Sequence, residues 1–452
     1  MEIDMTKGKP FKLIMRFLIP VVIGNIVQQL YNLADTIIVG KYVGQDALAA
    51  VGATGTIMFL IIGFMIGMTG GFAVVTAQKF GAREDDAVRH SVVSSIFLSA
   101  IITVVLTAVS LIGMRGLLTL MNTPEDVFSM SYTYISIICG GLVFNVLYNL
   151  TSSLLRAVGN SRIPLYFLLF SAILNVFLDL LFVIVLKTEV AGAAFATVIS
   201  QGVSGISCLI YIFKKEKALS PLKSDWKHYM DHAKKQLMIG IPMALQFSVT
   251  AIGTVIVQGA LNTLGSVVMA SYTASQKIEQ LVTMPFQGMG VAMATYCGQN
   301  RGVDDYGRIR LGVRESAIIT AIYAVLAAVA VTFTVDMTIP IFVKEDPAPI
   351  LEYAYVYFDI CPKFFIPLGL IFVFRNALQG MGHSVTTLLG AAIELVSRIA
   401  LAVVSVKMHS YAGVCYANAT AWLSAGVLLF ICYEIAITKE LREKAVRAKD
   451  AA

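Results

Sequence analysis

Two acidic residues stand where the surrounding sequence is apolar. Asp35 lies in YNLADTII and Asp179 in ILNVFLDLLF. Asn175 precedes Asp179 by four residues, so on a helix the two share a face. Thr197 brings a hydroxyl into the next apolar run. An aspartate at the centre of a membrane helix costs about 2.5–3.5 kcal/mol on insertion scales, so each such residue is a functional candidate. Two chemistries suit the set. A carboxyl removed from water can cycle between its protonated and charged forms. Alternatively, two carboxylates with an amide and a hydroxyl oxygen could coordinate a hard cation such as Na⁺. A structural hydrogen-bond cluster bracing the helices is the plainer alternative.

The second half of the chain carries a different set. The run 236–263 contains no Asp or Glu, and Gln246 and Thr250 are its polar groups. Lys277 and Glu279 are two apart and cannot face one another on a helix, so each is expected to pair with another helix. Glu394 and Arg398 are four apart and are expected to form an ion pair. Together with Gln246 these five are candidates for a C-terminal polar network, whose plainer role is to brace the helices. Asp359 and Lys363 form another i,i+4 pair. Arg375 and Glu434 lie toward the ends of runs, where their long stems could snorkel.

These residues sit in a chain of 452 residues that is 57% apolar and only 14% charged, with mean hydropathy +0.78. A soluble domain is nearer 45–50% apolar and about 25% charged. The composition excludes a soluble enzyme, a disordered chain and a disulfide scaffold. About 20 apolar residues span a bilayer as a helix. Twelve runs qualify: 13–40, 46–78, 91–114, 127–152, 163–186, 190–213, 236–263, 267–297, 312–335, 350–379, 384–406 and 411–437. Their continuous hydrophobicity favours helices over barrel strands. The fold class is therefore an all-α integral membrane protein of twelve transmembrane helices. The first run follows Lys7, Lys9, Lys12 and Arg16, but its length, Asp35 and lack of a small-residue cleavage site read as a retained span.

Lysine and arginine set the orientation. The loops on the side of both termini hold 25 of them, against five on the other side, Lys344 included. Both termini are expected to be cytoplasmic, in a multi-pass inner membrane protein. The longest polar connection, 214–235, divides an N-terminal lobe (1–213) from a C-terminal lobe (236–452). Trp226, Met230, Ala233 and Leu237 fall at helical spacing there, which predicts an interfacial helix over 224–237. His228 and His232, four apart, read as its solvated face rather than as metal ligands. The cysteines (139, 208, 297, 361, 415 and 432) are scattered without a CxxC and read as packing residues.

The halves repeat in register. AQKFGAREDD (77–86) matches the stretch around YCGQNRGVDD (296–305), with Gln78 opposite Gln299 and Gly81 opposite Gly302, and Pro20 matches Pro242. The stretch 134–161 matches 357–384, and EVAGAAFAT (189–197) matches SYAGVCYAN (410–418), all at offsets of 221–223 residues. Six spans per half make the repeats parallel, and a transported substrate would sit between them.

Three stretches carry a family resemblance. FLIPVVIGNIVQQLYNLADTIIVGKYVGQDALAAVGATGTI (17–57), LRAVGNSRIP (155–164) and KIEQLVTMPFQGMGVAMATYCGQNRG (277–302) are similar to segments of multidrug and toxic compound extrusion (MATE) transporters. The likeness covers essentially the whole chain. It implies a V-shaped pair of six-helix bundles, alternating access, and a proton or sodium gradient driving export of amphipathic organic cations. In the prokaryotic branch that it resembles, the N-lobe ion site falls on Asp35, Asn175, Asp179 and Thr197. Tyr134 and Asn149 are expected to face it, and Pro20 and Gln28 complete the candidate N-lobe cavity. A bend at Pro20, a position typical of the family, could couple ion binding to closure. The absence of an acid in 236–263 places coupling in the N-lobe, since the family's other large branch carries one there.

No phosphate-binding GxxxxGK[ST], HExxH, GxSxG or Cys/His cluster occurs, so no cofactor and no catalysis are expected. No basic-aromatic surface suggests nucleic acid. The expected partners are small organic cations and the lipid bilayer, and the chain is expected to act as a monomer. Flexible Met and aromatic walls suit promiscuous cation binding. Gly63, Gly67 and Gly71 form GxxxG spacing for close helix packing. A flippase of lipid-linked precursors is the alternative function.

Overall fold

A computed structural model describes residues 3–121, 123–342 and 347–450. Lys344 lies outside the described residues. The chain is almost wholly helical. The first half runs α1 (Pro10–Tyr42), α2 (Gln45–Gly81), α3 (Asp85–Leu120), α4 (Glu125–Gly140), α5 (Leu142–Ala157), α6 (Arg162–Asp179) and α7 (Glu189–Lys215). The second half runs α8 (Ala233–Asn262), α9 (Ser266–Gly302), α10 (Tyr306–Thr338), α11 (Ala348–Ile360), α12 (Phe365–Gly380), α13 (Ser384–Lys407) and α14 (Tyr411–Asp450). Helices α4 and α5 are one segment bent by 48° beside Gly140 and Gly141. A 3₁₀ turn, Cys361–Phe364, breaks the corresponding segment between α11 and α12. Each expected span is thus a helix or a broken helix.

Among the described residues, ten segments are long and apolar enough to cross a membrane, and the bent α4–α5 pair makes eleven. The twelfth, α9, has 37 residues but carries Gln276, Lys277, Glu279 and Gln280 in its first half. The large side chains that face outward are apolar; Ile112 is 86% exposed and Phe333 81%. Lipid, not water, is the solvent that suits them.

The repeat extends to the backbone. Positive φ recurs at Gly44 and Gly265, Arg83 and Asp304, Gly159 and Gly382, and Lys187 and His409. The same interhelical turns are therefore built twice, 221–223 residues apart.

The chain divides into two compact units. Ile19–Ala244 forms most of the first, and Leu245 onward forms most of the second, joined by Met5–Leu18. Both changes of unit fall within a helix, beside Pro20 in α1 and Pro242 in α8. The connection 214–235 and the start of α8 thus group with the first unit.

In the first unit, α2 lies directly on the start of α8. A Cβ on Gly67 would come within 2.5 Å of the Ala244 Cα, and one on Gly71 would collide with the Gly240 backbone. Small residues four apart on both helices allow this approach. Phe72, Met68, Leu98, Ala233 and Ala244 fill the surrounding core.

The interfacial helix expected over 224–237 does not form. Asp225–His228 is a single 3₁₀ turn, and α8 begins only at Ala233. The Asp225 carboxylate accepts the Leu222 N–H at 2.8 Å and Arg89 Nε at 2.9 Å. These bonds close a turn against α3 in place of a continuing helix. Burial pushes the Asp225 carboxyl up, but the Leu222 N–H and Arg89 outweigh it and hold it below the usual carboxylate range.

Candidate cation site

The polar stripe of α6 shows how the sequence builds the site. Ser171, Asn175 and Asp179 are buried at four-residue intervals, while Phe170, Ile173 and Phe177 face outward. The Ser171 hydroxyl donates to the Ser200 carbonyl at 2.7 Å and fastens α6 to α7. Asp179 ends the α-helix, and a π-helical segment, Leu180–Val185, follows at once. Single π turns inside helices occur frequently at functional sites.

Helix α1 turns Tyr31 and Asp35, also four apart, inward, with Leu30, Leu33 and Ile37 outward. Helix α7 adds Thr197. Asp35 and Asp179 lie close enough to interact through their charges. Tyr31 and Tyr134 lie within reach of both. The Tyr31 hydroxyl stands beside that of Thr197, outside hydrogen-bonding geometry. An apolar jacket that includes Ile38, Val39, Tyr134, Val183, Val190 and Ala194 packs the surrounding helices together.

The polar atoms of this cluster are unsatisfied. Asp35 Oδ1, both Asp179 oxygens, both Asn175 amide atoms, Thr197 Oγ1 and the Tyr31 hydroxyl are buried without a hydrogen-bond partner. Buried polar groups are ordinarily paired, because leaving one unpaired costs about 1–3 kcal/mol and more for a charge. A purely structural cluster would satisfy these carboxylate and amide atoms from within, and Asp179 and Asn175 are left open. Its donor set consists of hard oxygens, which fits a proton or a small hard cation.

The other candidates of the first unit occupy different positions. Asn149 donates its amide to the Asn145 carbonyl and side-chain oxygen, both at 2.9 Å, and Asn145 donates to Gln201 at 3.1 Å. This chain of amides ties α5 to α7. Gln28 donates to Asn32 at 3.4 Å on a partly exposed face of α1, and Pro20 is buried.

The second unit contains a charge network with a different membership from the one expected. Glu394 receives Arg375 in a short ion pair and Arg398 at 3.6 Å. Arg375 does not snorkel, because Glu394 gives it a buried partner. Glu434 pairs with Arg310 at 3.0 Å, and Lys363 with Asp359 at 2.7 Å. Glu279 is buried, accepts from the Tyr357 hydroxyl at 2.6 Å and feels the Arg398 charge. Lys277 is not part of this network. Its side chain is exposed, and Nζ sits 5.9 Å from the Phe342 ring centroid. Gln246 donates to Thr387 and accepts from Gln379 at 3.0 Å, so it cross-links α8, α12 and α13.

Sequence reasoning passed over Tyr31. The available signal was its position one helical turn before Asp35, on the same face.

Eleven membrane-length apolar segments and α9, in a duplicated order, with an unpartnered oxygen cluster inside one unit, fit a multi-pass membrane transporter. A profile of the MatE family matches residues 20–181 and 239–404, one stretch in each half, and the chain belongs to that family. Among its relatives, the probable multidrug resistance protein YpnP of Bacillus subtilis is 28% identical over 306 residues, 68% of each chain. The probable multidrug resistance protein NorM of Thermotoga maritima is 26% identical over 407 residues, 88% of this chain and 86% of that one. In fold, the chain resembles a crystal structure of MATE in complex with MaL6. The TM-score is 0.92 at 23% identity, over 98% of this chain and 99% of that one.

Proposed function

We propose that this transporter is a cation-coupled antiporter that exports amphipathic organic cations. The coupling ion, H⁺ or Na⁺, is taken at Asp35, Asp179, Asn175 and Thr197, with Tyr31 in the same shell. The observation that carries this reading is the set of buried, unpartnered oxygens drawn from α1, α6 and α7. Two uncompensated carboxylates in hydrocarbon cost several kcal/mol each, and a bound proton or cation removes that cost. The ion therefore has a differential affinity for the packing that brings α1, α6 and α7 together, and such a difference is what shifts a two-state equilibrium. The multidrug names of the relatives support the substrate class, and the lysine and arginine distribution supports cytoplasmic termini.

The test is uptake of a fluorescent organic cation into proteoliposomes under a pH gradient and, separately, a Na⁺ gradient. One gradient is expected to drive uptake, which identifies the ion. No uptake of any tested cation under either gradient contradicts the proposal and favours the flippase alternative.

A further inference from the structure

The mechanism leaves one cluster of chemically capable side chains unused, where the connection 214–235 meets α3. The imidazole rings of His90 and His228 stack at 4.0 Å between centroids, only 10° from parallel. Both direct Nδ1 toward one carboxylate oxygen, Asp231 Oδ2, at 3.7 Å from His90 and 2.8 Å from His228. These three ligand atoms all lie within 4.8 Å of one another.

We propose that His90, His228 and Asp231 form a binding site for a divalent transition metal of the Zn²⁺ class, which clips the connecting segment to α3. Two imidazole nitrogens and one carboxylate oxygen, with further positions open to water, are a normal ligand set for such ions. Ligands of a tetrahedral zinc stand about 3.3 Å apart, given bonds of about 2.0–2.1 Å. The present spacings need a shift of about 1 Å and a rotation of the stacked rings, at exposed His228 and Asp231 and half-buried His90.

A second observation points the same way. Metal-bound imidazoles ordinarily face a carboxylate with their other nitrogen, which fixes the ring. His90 Nε2 faces Asp225 Oδ1 at 3.6 Å, and Asp225 is itself held by Arg89 and the Leu222 N–H. The ring of His90 is thus oriented with Nδ1 directed at the site.

The test is a titration of tag-free, full-length protein with Zn²⁺ after chelator treatment, with Co²⁺ as the spectroscopic probe. One saturable site per chain is expected. Affinity should fall at least about tenfold in His228→Ala and in Asp231→Asn. Asp225→Asn keeps all three ligands and should weaken binding by about 10–100-fold. Asp85→Asn, an exposed acid on the same helix, should bind as the parent does. Hydrogen exchange over residues 222–232 should slow on Zn²⁺ addition in the parent and not in His228→Ala. Absence of saturable binding, or unchanged affinity in both His228→Ala and Asp231→Asn, overturns the proposal.

Discussion

Asp35 of α1 and Asp179 of α6 lie within range of each other's charge, and both Asp179 oxygens and one Asp35 oxygen are buried without a hydrogen-bond partner. Two acids brought together with nothing to neutralise them oppose folding, and a transporter can use that opposition. Under the coupling proposed above, a bound proton or cation would relieve that opposition and so link occupancy to conformation.

If that is so, Asp179→Asn removes the electrostatic opposition along with the function. Its unfolding temperature in detergent is expected to match or exceed that of the parent, while gradient-driven transport is lost. A destabilised variant that still transports at the parental rate would show that Asp179 is a structural brace.

The contact of α2 with the start of α8 leaves no room for side chains at Gly67 and Gly71. Gly71→Ala is expected to destabilise the protein by about 1–3 kcal/mol, the usual effect of overpacking. Gly52→Ala on the same helix meets open space and should be close to neutral. Thermal unfolding of the two variants in parallel checks this.

Glu279 accepts a hydrogen bond from the Tyr357 hydroxyl at 2.6 Å. Tyr357→Phe leaves a buried carboxyl oxygen without that bond and should cost about 1–3 kcal/mol. In the background Glu279→Gln the same change should cost less, and a double-mutant cycle measures the difference. Equal cost in both backgrounds would mean that the two side chains do not interact energetically.

His383, between α12 and α13, gives the second unit a pH dependence. Burial, with Arg301, pushes its imidazole below the ordinary value, and Glu440 at 3.4 Å only partly offsets this. The folded form therefore favours neutral His383. Its stabilisation is complete above the unfolded imidazole range, about pH 6.5, and is lost as pH falls through the depressed folded value. The unfolding temperature should fall on acidification by less in His383→Gln than in the parent.

Twelve spans, the duplication and the acids of the first unit were legible because each has a one-dimensional signal: apolar run length, fixed offset, or a charge inside an apolar run. The shared face of Asn175 and Asp179 followed from helical spacing. What escaped depended on contacts between elements. Arg375 looked like an end-of-helix cation, yet α13 brings Glu394 to it. Lys277 looked like a network member, yet its face of α9 turns outward. The run 224–237 has helical periodicity, yet Asp225 spends its carboxylate on a turn and on Arg89. His228 met its partner His90 from 138 residues away, not His232 from four.

The most direct test of the coupling assignment compares two activities of Asp35→Asn in proteoliposomes. These are uptake of an organic cation driven by the effective ion gradient, and binding of the same cation at equilibrium without a gradient. Loss of gradient-driven uptake with retained binding is expected, because the variant keeps the fold and lacks the ion's carboxylate. Uptake at the parental rate, still responsive to the gradient, would contradict the assignment of coupling to Asp35 and Asp179.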